Sequence, residues 1–345
     1  MKTDIKSLSF DELVALVNAL DLPKYRAGQL FSWLHKFGVT DFSQMANIPK
    51  SIRSVLAERY YISGCSIEEK YVSRIDSTVK YLFRLHDGEY IESVIMKYKY
   101  GYTICVSSQV GCKMGCRFCA STLAGFKRNL TAGEIESQIH AAQTDLNIRI
   151  SHIVLMGIGE PLDNFDNVIR FIENVNNDNG LNISARNITL STCGIVPKIK
   201  ALMQLNLQIT LTISLHAPND EIRSRTMPVN EKYGVHELIA VCREYALRTS
   251  RRVSFEYTLI KDVNDSRECA EELSELIKGM LCHVNLIPVN NVDERNNIRS
   301  TDESVNNFLQ ILQKNGINAT IRRTLGSDIN ASCGQLRRKK SEVAQ

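Results

Sequence analysis

Apolar residues change their period along the chain. In residues 1–57 they recur at helical spacing, with Leu13, Leu16, Val17 and Leu20 following Phe10 on one face until Pro23 ends the run. A second helix is predicted from Tyr25 through Leu30, Phe31, Trp33 and Leu34 up to Gly38, and a third around Ile52–Leu56 after Pro49. These segments predict a small helical N-terminal domain. Residues 58–98 then turn towards alternation. Val79–Leu85 and Tyr90–Met96 are rich in β-formers and flank Asp87-Gly88, which predicts a β-rich connector of two or three short antiparallel strands.

From residue 99 to about 325 short apolar runs alternate with helical stretches. Strands are predicted at Tyr102–Val106, His152–Met156, Asn187–Leu190, Gln208–Ser214, Val253–Leu259, Cys282–Ile287 and Asn318–Ile321. Helical periodicity fills gaps between them, as in Ala132–Leu146, Val168–Val175, His236–Leu247 and Glu303–Lys314. Strand–helix alternation means βαβ units and a parallel sheet. About six units predict an α/β fold with a partial (βα)6 TIM-like barrel, because a closed eight-fold barrel takes about 250 residues. Residues 326–345 form a C-terminal segment that carries the basic run Arg337–Lys340.

Composition narrows the class. Hydrophobic residues make up 43% and charged residues 23% of the 345, as in an ordinary globular protein. The first residues lack the continuous apolar core and cleavage site of a signal peptide, and no apolar run reaches the roughly 18 residues a membrane helix needs. A cytoplasmic protein without membrane attachment is expected, and nothing signals more than a monomer. The net charge of +4 permits an anionic partner without demanding one. Ten cysteines in such a chain argue for metal or thiol chemistry and against a disulfide framework. Cys65, Cys193, Cys242, Cys269 and Cys282 lie apart and read as small buried residues.

Cys112, Cys116 and Cys119 stand in the spacing C-x3-C-x2-C, after the first barrel strand and before a helix. Thiolates are the natural ligands of iron–sulfur clusters, and Gly111 and Gly115 let the backbone turn three sulfurs towards one cluster. A structural zinc site would need a fourth ligand and usually a second CxxC pair, which the sequence lacks. A thioredoxin-like Cys116–Cys119 pair would leave Cys112 unexplained. The spacing, in this place, resembles the radical SAM superfamily over about residues 100–325. That resemblance implies a 4Fe-4S cluster whose open iron binds S-adenosylmethionine (SAM), which is then cleaved to a 5′-deoxyadenosyl radical.

Polar groups at the following strand ends suit such a pocket. Met156-Gly-Ile-Gly159-Glu160-Pro161 ends the second strand, where glycines allow close approach and Glu160 can accept from an ammonium. Ser191-Thr192 ends the third strand, Ser214-Leu215-His216 ends the fourth, and Asn290 follows the sixth. Each alone reads as a cap or turn. The stretches Cys105–Cys112, Gly159–Asn164, Ser214–Pro218 and Ala331–Leu336 together resemble the RlmN/Cfr family of radical SAM rRNA adenine methyltransferases, nearly end to end and most like its RlmN branch. The family methylates adenine 2503 of 23S ribosomal RNA, at carbon 2 in the RlmN branch and carbon 8 in the Cfr branch. Some members also modify adenine 37 of tRNA.

Site roles follow from this resemblance alone. Two SAM molecules serve each turnover. Cys333 accepts a methyl group and carries it to the base. Cys105 resolves the protein–RNA link by forming a disulfide with Cys333. Glu92 moves protons or bonds the adenine edge. Gly159, Glu160, Ser191, Ser214, Leu215, His216 and Asn290 contact SAM. An electron donor such as flavodoxin is implied. The residues themselves leave carbon 8 open as the methylated position, and also leave open an iron–sulfur RNA-binding or electron-transfer protein. Lys127, Arg128, Arg322 and Arg323 are candidate phosphate contacts. Phe118 is a candidate for stacking near a ligand, and Cys193 an extra thiol of undetermined role.

Overall fold

The computed structural model describes residues 2–290, 292, 297–332 and 334–336; Cys333 and the run Arg337–Lys340 lie outside the described residues. Three helices, α1 (Phe10–Ala19), α2 (Tyr25–Phe31) and α3 (Lys50–Arg59), build the N-terminal unit. Ser9 caps α1 by accepting from the Glu12 N–H at 3.1 Å, while the Glu12 carboxylate accepts from the Ser9 N–H at 2.7 Å. Two of the N–H groups that a helix start leaves unpaired are thereby satisfied. Leu13 and Val17, one turn apart, bury against Leu30, Phe31 and Leu56 in a core of their own.

Strands β1 (Cys65–Val72), β2 (Val79–Leu85) and β3 (Tyr90–Tyr98) meander antiparallel onto β4 (Gly101–Cys105). The chain then alternates: α4 (Ala132–Leu146), β5 (Ile150–Leu155), α5 (Phe165–Asn176), β6 (Ile188–Thr192), α6 (Val196–Gln204) and β7 (Thr210–Ser214). It continues through α7 (Asp220–Thr226), α8 (Val235–Thr249), β8 (Val253–Leu259), α9 (Arg267–Leu276), β9 (Cys282–Pro288), α10 (Asp302–Lys314) and β10 (Ala319–Ile321). The strands hydrogen-bond in sequence order, parallel from β4 to β10, in one ten-stranded sheet. This is the expected partial barrel, six βα units and a last strand, and among the described residues β1 and β10 form its open edges. The β-rich segment before it continues the same sheet.

Alternation along the strands decides where the site lies. Leu211 and Ile213 of β7, Phe255 and Tyr257 of β8, and Val284 and Leu286 of β9 face the helices and are fully buried in the main core. Burying one such side chain contributes about 1.5–3 kcal/mol. The alternate residues, Thr212, Ser214, Ser254, Glu256, Thr258 and Asn285, face the inside of the curve. Closed barrels fill that space with branched apolar side chains; here it is polar and opens into a cavity. Strand β6 also runs two residues past the predicted end at Leu190, because Ser191 and Thr192 still pair with Thr212 and Ile213 of β7. Among the described residues no helix is long and apolar enough to cross a membrane.

Candidate active site

The cysteine loop hangs between β4 and α4. Gly111 sits at φ +76°, and a Cβ there would lie 1.7 Å from the Gly125 carbonyl oxygen, so the two limbs of the loop touch backbone to backbone. The thiols of Cys112, Cys116 and Cys119 line one cavity. Burial pushes the Cys112 thiol up to about 12 and Cys116 well above its ordinary value, and charge on each neighbouring thiol pushes further. Three thiols that line one cavity and repel one another when charged need bound cationic charge to ionise together. Among the described residues no group of His, Cys, Asp and Glu is spaced for a single ion. A cluster fits this arrangement, since three of its irons would each take one thiolate and the fourth would stay open.

Opposite the cysteines the cavity is walled by strand ends. Gly159, at φ +109°, comes so close to Gln109 that a Cβ would meet that side chain at 2.6 Å. Glu160 is buried and accepts from the N–H groups of Cys193 at 2.8 Å and Leu162 at 3.0 Å. Burial nevertheless pushes its carboxyl up, with those N–H bonds in opposition. Ser191, Ser214, His216 and Asn290 line the same cavity. His216 is held at φ +57°, which a non-glycine residue rarely adopts. Its Nδ1 accepts from the Thr258 N–H at 2.9 Å, so the hydrogen of the neutral ring sits on Nε2. Burial, aided by the Arg223 cation, lowers His216 to about 3, so the ring stays neutral. Phe118 meets its face edge-on at 4.7 Å between centroids and also lines the cavity.

Leu215 does not line the cavity. Its side chain is in the main core, and its backbone bonds Glu256 and Arg223. Arg223, unremarked in the sequence, is fully buried and donates to the carbonyls of Cys193 (2.6 Å), Leu215 (3.1 Å) and Ser214 (3.3 Å). One guanidinium therefore fixes the ends of β6 and β7.

Cys105 and Glu92 stand beside this cavity. Cys105 pairs with Val94 across the sheet, and Glu92 lies two residues before Val94 on the same face. Both are buried. The Lys80 ammonium is 3.3 Å from Glu92 and 3.5 Å from the Asn330 carbonyl. Cys105, Val94 and Ile158 pack with Ala331 and Leu336, which flank position 333. The Gly334 carbonyl accepts from the Ala120 N–H at 2.7 Å, and Ser121 Oγ donates to the Leu336 carbonyl at 2.9 Å. Folding thus brings the neighbours of Cys333 onto both the cysteine loop and Cys105.

Other candidates move. Arg128, expected to meet phosphate, holds Glu134 with both guanidinium arms (2.8 and 2.9 Å) and Asp87 at 2.8 Å. Arg322 lines the cavity and pairs with Glu256 at 3.0 Å. Lys127 and Arg323 keep largely exposed side chains, Lys127 near Glu89 at 3.8 Å. Cys193 lines the cavity as a buried thiol.

Residues 106–277 match the radical SAM superfamily, and residues 3–62 match the ribosomal RNA large subunit methyltransferase N-terminal domain. The chain is 56% identical over 336 residues to a probable dual-specificity RNA methyltransferase RlmN of Clostridium tetani, covering 97% of this chain and 96% of that protein. A protein of the same description from Clostridium novyi is 55% identical over 335 residues, covering 97% of this chain and 98% of its own length. The crystal structure of a radical SAM methyltransferase from Sphaerobacter thermophilus superimposes with a TM-score of 0.92 at 43% identity, covering 98% of this chain and all of that one.

Proposed function

The chain belongs to the RlmN family of radical SAM RNA methyltransferases, and from that membership we propose that it methylates carbon 2 of adenine 2503 in 23S rRNA and of adenine 37 in tRNA. The observation that carries this reading is the meeting of the three-cysteine loop, the polar strand ends and the segment around position 333 at one place. Cys112, Cys116 and Cys119 hold the cluster; when bound, it supplies the electron, while SAM supplies the hydrogen-abstracting fragment and the methyl group.

The chain's own residues bind, orient and move protons. Glu160 accepts from the ammonium of SAM, and the neutral His216 presents its Nε2–H to the cavity. Ser191, Ser214 and Asn290 add polar contacts. Adenine C2 is electrophilic, so the methyl is first carried on the Cys333 sulfur, away from a direct displacement at the base. Glu92 handles the proton at the base edge, with Lys80 3.3 Å away holding its charge. Cys105 closes a disulfide with Cys333 to free the product, and an external thiol reduces it. The target base has to leave its stack to reach this depth, at a cost of a few kcal/mol. A protein such as flavodoxin is the electron donor, and the enzyme acts as a monomer.

Anaerobically reconstituted enzyme is incubated with SAM, a reductant and protein-free 23S rRNA or tRNA, and nucleosides are identified by mass spectrometry. The expected product is 2-methyladenosine; 8-methyladenosine overturns the assignment to carbon 2. Cys116→Ala removes the cluster and all methylation, and retained turnover sinks the radical reading.

A further inference from the structure

The hairpin that joins β3 to β4 lies outside the cavity and carries chemistry of its own. Its sequence, Lys97-Tyr98-Lys99-Tyr100-Gly101-Tyr102, alternates cations with aromatic rings. Tyr98 pairs with Gly101, so Lys99 and Tyr100 make the turn. Gly101 sits at φ +129°, and a Cβ there would strike Ser151 Oγ, so the turn is seated tightly on β5. Tyr98 and Tyr100 stack with centroids 5.0 Å apart and planes 7° from parallel. His152 of β5 meets Tyr100 at 4.7 Å between centroids. Three rings thus form one shelf from β3 through the turn to β5, and Tyr100 is 61% exposed.

Exposed cations surround the shelf. Lys97 and Lys99 flank Tyr98, and Arg149 precedes Ile150, which pairs with Tyr102. Among the described residues none of these three cations forms an ion pair. Lys113, Lys127 and Arg128 around the cysteine loop are by contrast paired with Asp163, Glu89 and Asp87. Position ties the shelf to the reaction chamber. Side chains alternate along a strand, so Glu92, Val94, Met96 and Tyr98 share one face of β3. Val94, Met96 and Tyr98 pack in one cluster with Cys105 and Ala331. Six residues at about 3.3 Å each put the shelf about 20 Å from Glu92. An RNA whose target base reaches Glu92 therefore has flanking nucleotides along this strip.

We propose that this hairpin is an RNA-docking shelf, on which an unpaired base flanking the target stacks against Tyr100 while Lys97 and Lys99 hold the adjoining phosphates. The inference rests on the RNA methyltransferase reading above. Every base offers a face to an exposed ring, and unpaired lysines beside that ring neutralise the backbone. A protein partner fits less well, because the centre of a protein interface is depleted of charge, lysine included.

The test is equilibrium binding of a protein-free 23S rRNA fragment carrying the target adenine to the reconstituted holoenzyme, over a series of salt concentrations. Wild type is compared with Tyr100→Leu, Tyr100→Phe and the pair Lys97→Gln/Lys99→Gln, with iron content and thermal unfolding as controls for structure. Tyr100→Leu should weaken binding about 5- to 100-fold, the worth of one stacked base. Tyr100→Phe keeps the ring and should bind like wild type. The lysine pair should flatten the dependence of log affinity on log salt by about 0.7–0.9 per lysine. Unchanged affinity and salt slope overturn the proposal, and a Tyr100→Phe protein as weak as Tyr100→Leu overturns the stacking. Unchanged RNA binding, with turnover lost when reduced flavodoxin supplies the electron and kept with dithionite, assigns the hairpin to an acidic protein donor instead. Failure of the methyltransferase reading shows separately, as wild-type enzyme that leaves the bound RNA unmethylated.

Discussion

Replacing Gly111 by alanine should empty the cysteine site of iron without unfolding the protein. The new Cβ would stand 1.7 Å from the Gly125 carbonyl oxygen, whereas ordinary contacts begin near 3.4 Å, so one limb must retreat by roughly 1.7 Å. The retreating limb is held by the Lys127 N–H to Val110 carbonyl bond at 2.8 Å and by pairing of Gln109 with Asn129 and Val110 with Arg128. At about 1 kcal/mol per bond, plus about 1–2 kcal/mol for alanine at φ +76°, the local cost is roughly 3–5 kcal/mol. That is enough to displace Cys112 from Cys116 and Cys119 and too little to melt the barrel core. Gly125→Ala is the matched control: it too has a left-handed φ, +65°, but its Cβ meets nothing within 4 Å. Iron and sulfide per chain after anaerobic reconstitution, alongside thermal unfolding, separate the two variants. Gly125→Ala should load fully and Gly111→Ala poorly. Equal loading would refute the claim that the backbone contact shapes the site.

Arg223→Met should leave the carbonyls of Cys193, Leu215 and Ser214 without their donor, costing about 3–5 kcal/mol; melting should fall by roughly 5–10 °C and SAM affinity with it, and an unchanged melting curve contradicts the staple. Stability should also fall in acid. His140 is lowered from 6.5 to about 4, by burial first and then by the Lys6 cation, against the pull of Glu136. The folded state therefore binds fewer protons than the unfolded one across that window, and about 2 kcal/mol is lost between pH 7.5 and 5. Burial raises Glu136, but His35 and His140 outweigh it and hold it low, which adds a loss of the same sign below about pH 4.5. Denaturant midpoints at the two pH values check this, and a flat profile contradicts it. Cys105→Ala should retain a covalent protein–RNA adduct on a denaturing gel after turnover, and free methylated RNA would remove Cys105 from its role.

The cysteine loop and the strand-end polar residues were legible because both are local: a spacing of ligands, and a polar residue where an apolar run stops. Glu92 reads locally as a solvent-facing strand residue. It is buried because β2 and β4 flank β3 and bring Lys80 beside it, a fact of sheet order. Arg128 and Arg322 carry the same lesson. As sequence they are surface cations, and only the placement of Glu134 and Glu256 makes them structural. Arg223 offered no signal, since apart from Asn230 Oδ1 at 3.0 Å its partners are backbone carbonyls, which every residue has. The neighbours of positions 105 and 333 meet only because an open sheet lets the last segment fold back over the first barrel strand.

That return has a consequence in time. Ser121 waits for a partner 215 residues further along the chain, Leu336. At synthesis rates of roughly 5–20 residues per second, the three thiols emerge about 10 to 40 s before the segment that roofs them. During that interval the three thiols stand without Gly334, so the cysteine loop is made before part of the wall of its own cavity.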